Sequence, residues 1–423
     1  MTCALLTIGT ELTRGDLHNT NAGWLAERLT TLGYEVTHML SIDDDDKRIC
    51  EALTRLSHDH DLIITTGGLG PTTDDRTSAC VARVLGVPLV RDSASLAWIA
   101  QRFAKYGRVM SPSNEKQADF PKGANILANG LGTAPGFCVQ LGHALSFFLP
   151  GVPREMSAMF EQQVVSKLPA RATPFTTVRL RTFGMSEAEV NDRLAGLEEK
   201  HGVTMGYRAS HAEIEVKVLA QGRAGETVHT LEQRANAVGD EIAERLGRVV
   251  YSRGTAGLPE VIGQLLIEQG ASLGLAESCT GGLVSQWITQ VPGASQYYKG
   301  GIVGYANTAK SQILGVSELL LNKYGAVSEP VARAMAQGAA RSFGTKYALS
   351  ITGIAGPSGG TTDKPVGLVH WAVNSPQGTL SKERVFLGER SQVQQRAATA
   401  ALFTLYQVLK GEVEPVAAPL SGR

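Results

Sequence analysis

Ser278, Cys279, Tyr305 and Lys310 are the side chains of this 423-residue sequence whose types and spacing could do chemistry. The first two stand in AESCTGG, residues 276–282, and the others in GYANTAK, residues 304–310. A serine hydroxyl is a poor nucleophile until a base takes its proton, and a lysine whose pKa is lowered by burial can act as that base. None of the nine histidines stands in a recognisable serine-hydrolase motif. Lys310 is therefore the candidate base for Ser278, with Tyr305 relaying the proton or hydrogen-bonding the lysine. Cys279 is a competing nucleophile, because a helix N-terminus acidifies a thiol; the alternative is a small buried residue. Backbone N–H groups at Thr280, Gly281 and Gly282 are candidates for an oxyanion hole. The same turn also reads as a phosphate-binding loop without covalent chemistry.

These groups need elements to hold them. An apolar run, Ala271 to Ala276, precedes the serine, and an apolar-periodic segment from Leu283 to Ile288 follows it. That pattern predicts strand, tight turn, helix. Gly301 to Tyr305 reads as a strand leading to Asn307 and Lys310, and Tyr347 to Ile351 as another. The latter runs into TGIAGPSGG, 352–360, where Thr352, Gly353 and Gly356 are candidate contacts to a phosphate or ribose. Strands are also expected at Leu368 to Val373 and Lys382 to Leu387, then an amphipathic helix from about Ser391 to Leu409. A flexible tail is expected over 413–423.

A second constellation lies near the start. Alternating strands and helices through residue 66 predict a doubly wound α/β domain, in which ligands bind beyond the carboxyl ends of the strands. The third strand, Asp61 to Thr66, enters TTGGLGPTTDDRT, 65–77. Gly67, Gly68 and Gly70 allow backbone close to a phosphate, and a helix beginning near Asp74 would point its dipole there. Asp74 and Asp75 could hold a divalent metal or position a water, or simply cap that helix. LPGVPREM, 149–156, supplies a further strand-to-helix turn at Gly151, and Lys116 stands on a proline-flanked polar segment. Between the two constellations, residues 170–252 read as β-α-β-β-α-β, with an S-x-x-E capping box at Ser186 and Glu189. This small α+β module has no G-x-x-G with basic neighbours and no aromatic stripe, which argues against nucleic-acid binding.

Totals bound the possibilities. Forty basic and forty acidic residues balance, so global charge gives no argument for nucleic acid or membranes. The five cysteines are odd in number and form no C-x-x-C, which suits a reducing cytosol. MTCALLTIGTEL lacks a basic leader and reads as a first core strand, and no run approaches the roughly 20 apolar residues of a membrane span. A cytoplasmic protein without membrane association is expected.

Taken together, IGTELTRGDLHNTNAGWLAERL (8–29), DLIITTGGLGPTTDD (61–75), GTAPGF (132–137), LPGVPREM, AESCTGG, GAVSEPVA (325–332) and TGIAGPSGG with KPVG (364–367) resemble the CinA (competence/damage-inducible) family over nearly the whole chain. The resemblance implies an α/β multidomain protein. Residues 1–169 would form a molybdopterin-binding-like domain hydrolysing ADP-ribose-type pyrophosphates with a divalent metal. Residues 170–254 would form a KH-like α+β module, and residues 255–412 a domain similar to nicotinamide mononucleotide (NMN) deamidases, needing no cofactor. In that family a serine of the AESCTGG turn acts with a lysine and a tyrosine, matching Ser278, Lys310 and Tyr305. Asp75 matches the acidic residue of the molybdopterin-binding glycine loop. Glu11, Asp16 and Asp74 are further metal candidates, and Thr10, Asn21, Lys116 and Gly151 further substrate contacts. Gly304, Ala306 and Thr308 depart from the family's S/T-Y-S-N-E-A-K. A homodimer is expected by family. The rival readings are a nucleotide- or pterin-binding protein with a degenerate C-terminal site and a nucleic-acid accessory factor in competence.

Overall fold

A computed structural model of the chain describes residues 2–169, 175–210, 213–223 and 225–413. The chain divides into two compact units, Met1–Thr176 with Gln221–Leu231, and Thr177–Ala220 with Glu232–Arg423. The expected tail, from 414 on, lies outside the described residues. No helix among those described is long and apolar enough to cross a membrane.

In the first unit, strands β1 (Thr2–Ile8), β2 (Glu35–Ile42), β3 (Leu62–Thr66), β4 (Leu89–Arg91), β5 (Asp119–Pro121), β6 (Asn125–Leu127), β7 (Gly136–Leu141) and β8 (Ala144–Leu149) alternate with helices as far as residue 105. Six of them form one sheet in the order β2-β1-β3-β8-β7-β6. The first four in that order run parallel, and β7 and β6 are antiparallel additions. Alternation along β1 feeds two separate cores: Ala4, Leu6 and Ile8 enter one, Cys3 and Leu5 the other. Such a sheet is buried on both faces, which is why β1 and β3 read as nearly continuous apolar runs. The helix after the glycine loop starts at Thr77, three residues later than expected, with Arg76 as its N-cap. Asp74 and Asp75 therefore belong to the preceding turn and do not cap it.

The second unit contains two sheets. Strands β9 (Phe175–Phe183), β10 (Thr204–Ser210), β11 (Glu213–Gln221) and β12 (Val250–Arg253) pair in the order β10-β11-β9-β12. The capping box at Ser186 and Glu189 starts the helix Glu187–Leu194, as its sequence predicts. The remaining strands are β13 (Leu273–Glu277), β14 (Tyr298–Val303), β15 (Tyr347–Gly353), β16 (Leu368–Ser375) and β17 (Gly378–Val385), in the order β14-β13-β15-β16-β17. The first three are parallel, and β16 and β17 add antiparallel.

The last helix, Arg390–Leu409, corrects one expectation. It is not amphipathic: every residue from Ala397 to Tyr406 is buried. One side covers the sheet around Trp371, and Phe403 packs tilted against Phe183 of the middle module at 4.8 Å between ring centroids. A helix covered on both sides needs apolar residues all round. The middle module and the C-terminal sheet thus share one hydrophobic core.

Candidate active site

Three parallel strands of the C-terminal sheet end side by side, and their loops carry the candidate residues. Ser278 follows β13 directly, its N–H donating to the Ile351 carbonyl of β15 at 2.9 Å. On the other side the Gly304 N–H donates to the Glu277 carbonyl at 2.8 Å, which fixes the turn that leads to Lys310. The helix Asn307–Gln312 then aims Lys310 inward, where it is 1 % exposed.

The Lys310 Nζ lies 3.0 Å from the Ser278 Oγ, 2.8 Å from the Gly304 carbonyl and 3.1 Å from the Tyr305 carbonyl. An ammonium would donate to all three oxygens. A neutral amine has two N–H bonds for the two carbonyls and one lone pair, which would then accept the serine hydroxyl's proton. Burial favours the neutral form, because it pushes the lysine pKa below its ordinary value.

The Tyr305 side chain is placed for neither role expected of it, relaying the proton or hydrogen-bonding the lysine. The residue is 62 % exposed, and its hydroxyl accepts from the Arg390 Nη2 at 3.1 Å. Only its main-chain carbonyl touches Lys310. Cys279 fits the alternative to a nucleophile: it is buried in the apolar core, and burial pushes its thiol up to about 12. Cys279→Ala is accordingly expected to keep kcat for any Ser278 chemistry within about threefold while losing about 1 kcal/mol of stability. Steady-state rates beside a urea melt check this, and loss of turnover in a folded variant would restore the thiol as a candidate.

The helix N-terminus at the glycines is not an open anion site. Glu277, 1 % exposed, turns its carboxylate back onto the turn. It accepts from the N–H groups of Gly282 (3.2 Å), Val284 (3.1 Å) and Ser285 (2.8 Å), and from the Ser285 hydroxyl (2.7 Å). The Gly281 N–H donates to the Ser278 carbonyl. This removes Gly281 and Gly282 from the expected oxyanion donors. The Cys279 N–H faces only its own sulfur, the Thr280 N–H meets no acceptor among the described residues, and the Thr280 Oγ1 is buried without a partner there. Sequence reasoning passed over Glu277. The available signal was a carboxylate immediately before a glycine-opened helix.

Of the remaining candidates, Thr352 is buried and donates its hydroxyl to the Ala326 carbonyl at 2.9 Å, so it holds the loop in place. Gly353 packs so closely on β16 that an added Cβ would lie 2.8 Å from the Leu368 carbonyl oxygen. The Gly356 carbonyl accepts from the Arg390 Nη1 at 2.9 Å, and Asn307 is exposed at the start of its helix. Arg390 thus ties the Tyr305 loop to the glycine loop. One turn later, Gln394 donates to the Cys279 carbonyl at 2.7 Å. Neither was found by sequence reasoning; their polar i, i+4 spacing at the start of an apolar helix was the signal.

In the first unit, the ends of all four parallel strands line one cavity of about 380 Å³. Ile8 and Gly9 come from β1, Asp44 from beyond β2, Gly67, Gly68 and Gly70 from beyond β3, and Gly151 from beyond β8. Glycine is required at Gly67: φ is +102°, and an added Cβ would lie 2.0 Å from the Ile8 carbonyl oxygen. Glu11, Asp44, Asp74, Asp75 and Glu155 all line the cavity. Asp44 accepts from the N–H and hydroxyl of Thr10 at 2.8 and 2.7 Å, so Thr10 is already engaged. Asp75 accepts from the N–H and hydroxyl of Thr72 at 2.8 and 2.6 Å. The Thr72 hydroxyl also reaches Asp74, holding that carboxyl below the usual range. Lys116 caps the Thr72 carbonyl, and the Asn21 amide donates to the Gly151 carbonyl at 2.7 Å. Asp16 is exposed and lines no part of this cavity, unlike the other three metal candidates. Among the described residues no group of three or more His, Cys, Asp or Glu side chains converges as a metal cage. The donor set is nonetheless all hard oxygen, which suits Mg²⁺-class ions held by one or two carboxylates plus ligand phosphates.

Fold and site together define a multidomain α/β protein with a buried Ser–Lys pair at one set of strand ends and a carboxylate-lined cavity at another. Residues 4–170 match the family model for a probable molybdopterin binding domain, 177–252 the damage-inducible protein CinA KH domain, and 255–409 the CinA C-terminal domain. A CinA-like protein of Anaeromyxobacter dehalogenans is 41% identical over 97% of this chain and 100% of its own length. A putative competence-damage inducible protein of Symbiobacterium thermophilum is 40% identical over 98% of this chain and 100% of its own. The crystal structure of the protein CinA with unknown function from Thermoplasma acidophilum is 34% identical, covering 40% of this chain and 98% of that one with a TM-score of 0.37. The chain belongs to the CinA family.

Proposed function

We propose that the C-terminal domain deamidates nicotinamide mononucleotide to nicotinate mononucleotide and ammonia through Ser278 and Lys310. The observation that carries this reading is the 3.0 Å contact between the Lys310 Nζ and the Ser278 Oγ, with two carbonyls occupying the amine's N–H bonds. The neutral amine takes the hydroxyl proton as the Oγ attacks the carboxamide carbon. The N–H groups of Cys279 and Thr280, which no other described residue accepts from, serve the developing oxyanion. Lys310 returns the proton to the leaving nitrogen, ammonia departs, and water, deprotonated by the same amine, hydrolyses the acyl-serine. Tyr305 and Arg390 brace the loop from outside. Ammonia release from NMN by the full chain, beside Ser278→Ala, tests the assignment: turnover that survives in the alanine variant would remove the nucleophile. Binding of NMN without turnover would favour a nucleotide-binding protein instead.

For the first unit we infer hydrolysis of ADP-ribose-type pyrophosphates. Five carboxylates line the cavity, so a pyrophosphate would be repelled unless a cation came with it. Glu11, Asp74 and Asp75, joined by Asp44, are the residues that would hold one. A divalent cation there would neutralise phosphate charge and acidify a bound water. Gly67, Gly68 and Gly70 allow close approach of the phosphates, and Asp75 is oriented by Thr72. EDTA is expected to abolish phosphate-bond cleavage of ADP-ribose, and Asp75→Asn to lower kcat at least about 100-fold. Cleavage undiminished by EDTA would refute the cation requirement.

A further inference from the structure

A second cavity of about 560 Å³ lies between β17, the last helix and the middle module, and shares no lining residue with either site. Its lining includes Phe183, Trp371, Lys382, Phe403, Thr404 and Gln407, with Glu383 and Arg384 at the β17 edge. Lys382 stands directly opposite Trp371 across the β16–β17 ladder, so both project to the face covered by the last helix. The Trp371 indole N–H is satisfied by the Thr404 hydroxyl at 2.9 Å, which fixes the ring.

The lysine is in an unusual position. Its Nζ donates to the Gln407 Oε1 at 3.1 Å, and it makes no ion pair among the described residues. The next residue, Glu383, stands opposite His370 in the ladder, its Oε2 3.1 Å from the His370 Nδ1, and so projects to the other face of the strand from Lys382. Burial, with nothing opposing it, pushes the Lys382 pKa below its ordinary value. Gln407 spends its oxygen on Lys382, and its Nε2 meets no acceptor among the described residues. Two donors, one charged and one neutral, therefore stand together beside three aromatic rings with no carboxylate between them.

We propose that this cavity binds a small planar aromatic carboxylate, its two oxygens accepting from the Lys382 ammonium and the Gln407 amide and its ring lying against Trp371 and Phe403. The carboxylate supplies the missing counter-charge, and the ring replaces water over apolar surface. Nothing in the proposal depends on turnover at Ser278.

Calorimetric titration of the full chain with benzoate, and with the uncharged isostere benzamide, tests it. Benzoate is expected to bind saturably with one site per chain, and benzamide about 10- to 100-fold more weakly. Lys382→Met should weaken benzoate by a similar factor. Gln407→Glu, which gives Lys382 an internal carboxylate, should abolish benzoate binding without lowering the melting temperature, so the test survives even if the methionine variant fails to fold. Ser278→Ala should leave benzoate binding unchanged. Equal binding of benzoate and benzamide, unaltered binding in Gln407→Glu, or no saturable site would overturn the proposal. So would loss of binding in Ser278→Ala, which would move the ligand to the serine pocket.

Discussion

Lys310→Met is expected to lower kcat for ammonia release from NMN by about 10²- to 10⁴-fold while leaving KM within a few-fold. The variant removes the lone pair that receives the serine proton and preserves most of the side chain's volume. It should also be the more stable protein. An unfolded lysine titrates at its ordinary value, whereas burial lowers the pKa of Lys310 in the native state. Between those two values the unfolded chain holds the extra proton, so native stability rises with pH across that window and is diminished below it. Methionine abolishes that dependence. A higher melting temperature at pH 7 together with lost turnover is the expected pair of results. The wild-type rate should increase with pH as the amine loses its proton. A variant that turned over NMN at near wild-type rate would end the general-base assignment, and one that melted lower would show that the bonds from Lys310 to the Gly304 and Tyr305 carbonyls outweigh the cost of burying its amine.

Glu277→Ala should strongly destabilise the second unit. It leaves the N–H groups of Gly282, Val284 and Ser285 buried or half-buried without their acceptor. Each such loss costs on the order of 1 kcal/mol or more, about 3 kcal/mol together. In a domain of this size that corresponds to a fall of roughly 10 °C in Tm. Glu277→Gln retains one oxygen and turns an amide toward the donors, so an intermediate loss is expected. Turnover should fall with either variant, because Ser278 is the next residue and the turn sets its direction. Thermal melts of the three proteins decide the matter; a Glu277→Ala protein as stable as wild type would mean the turn finds other acceptors.

The strand-loop-helix frame was legible in the sequence because parallel strands buried on both faces leave apolar runs that end at glycine-containing turns, as after Thr66 and after Glu277. Ser278 and Lys310 were legible as residue types, and their distance was not: 32 positions of chain separate them, and only the ladder of β14 on β13 brings them together. Glu277 was hidden because its partners lie five to eight residues ahead, in a reversal that no periodicity reports. The Tyr305 hydroxyl was misplaced because a residue's type says nothing of its rotamer, and Arg390, 85 positions away, competes for it. The last helix was misread because an apolar face toward a sheet was anticipated, and the apolar face toward Phe183 and Tyr251 was not.

That helix has a further consequence. It carries Arg390 and Gln394 at one end, against the loops around Ser278, and Phe403 and Tyr406 near the other, against Tyr251 of the middle module. A rigid rod with both ends engaged transmits whatever happens at either. The boundary between residues 252 and 255, natural as it looks in a domain diagram, is therefore a poor place to cut. Severing there would bare a stripe of aromatic surface, and the two pieces of this chain should melt as one cooperative unit.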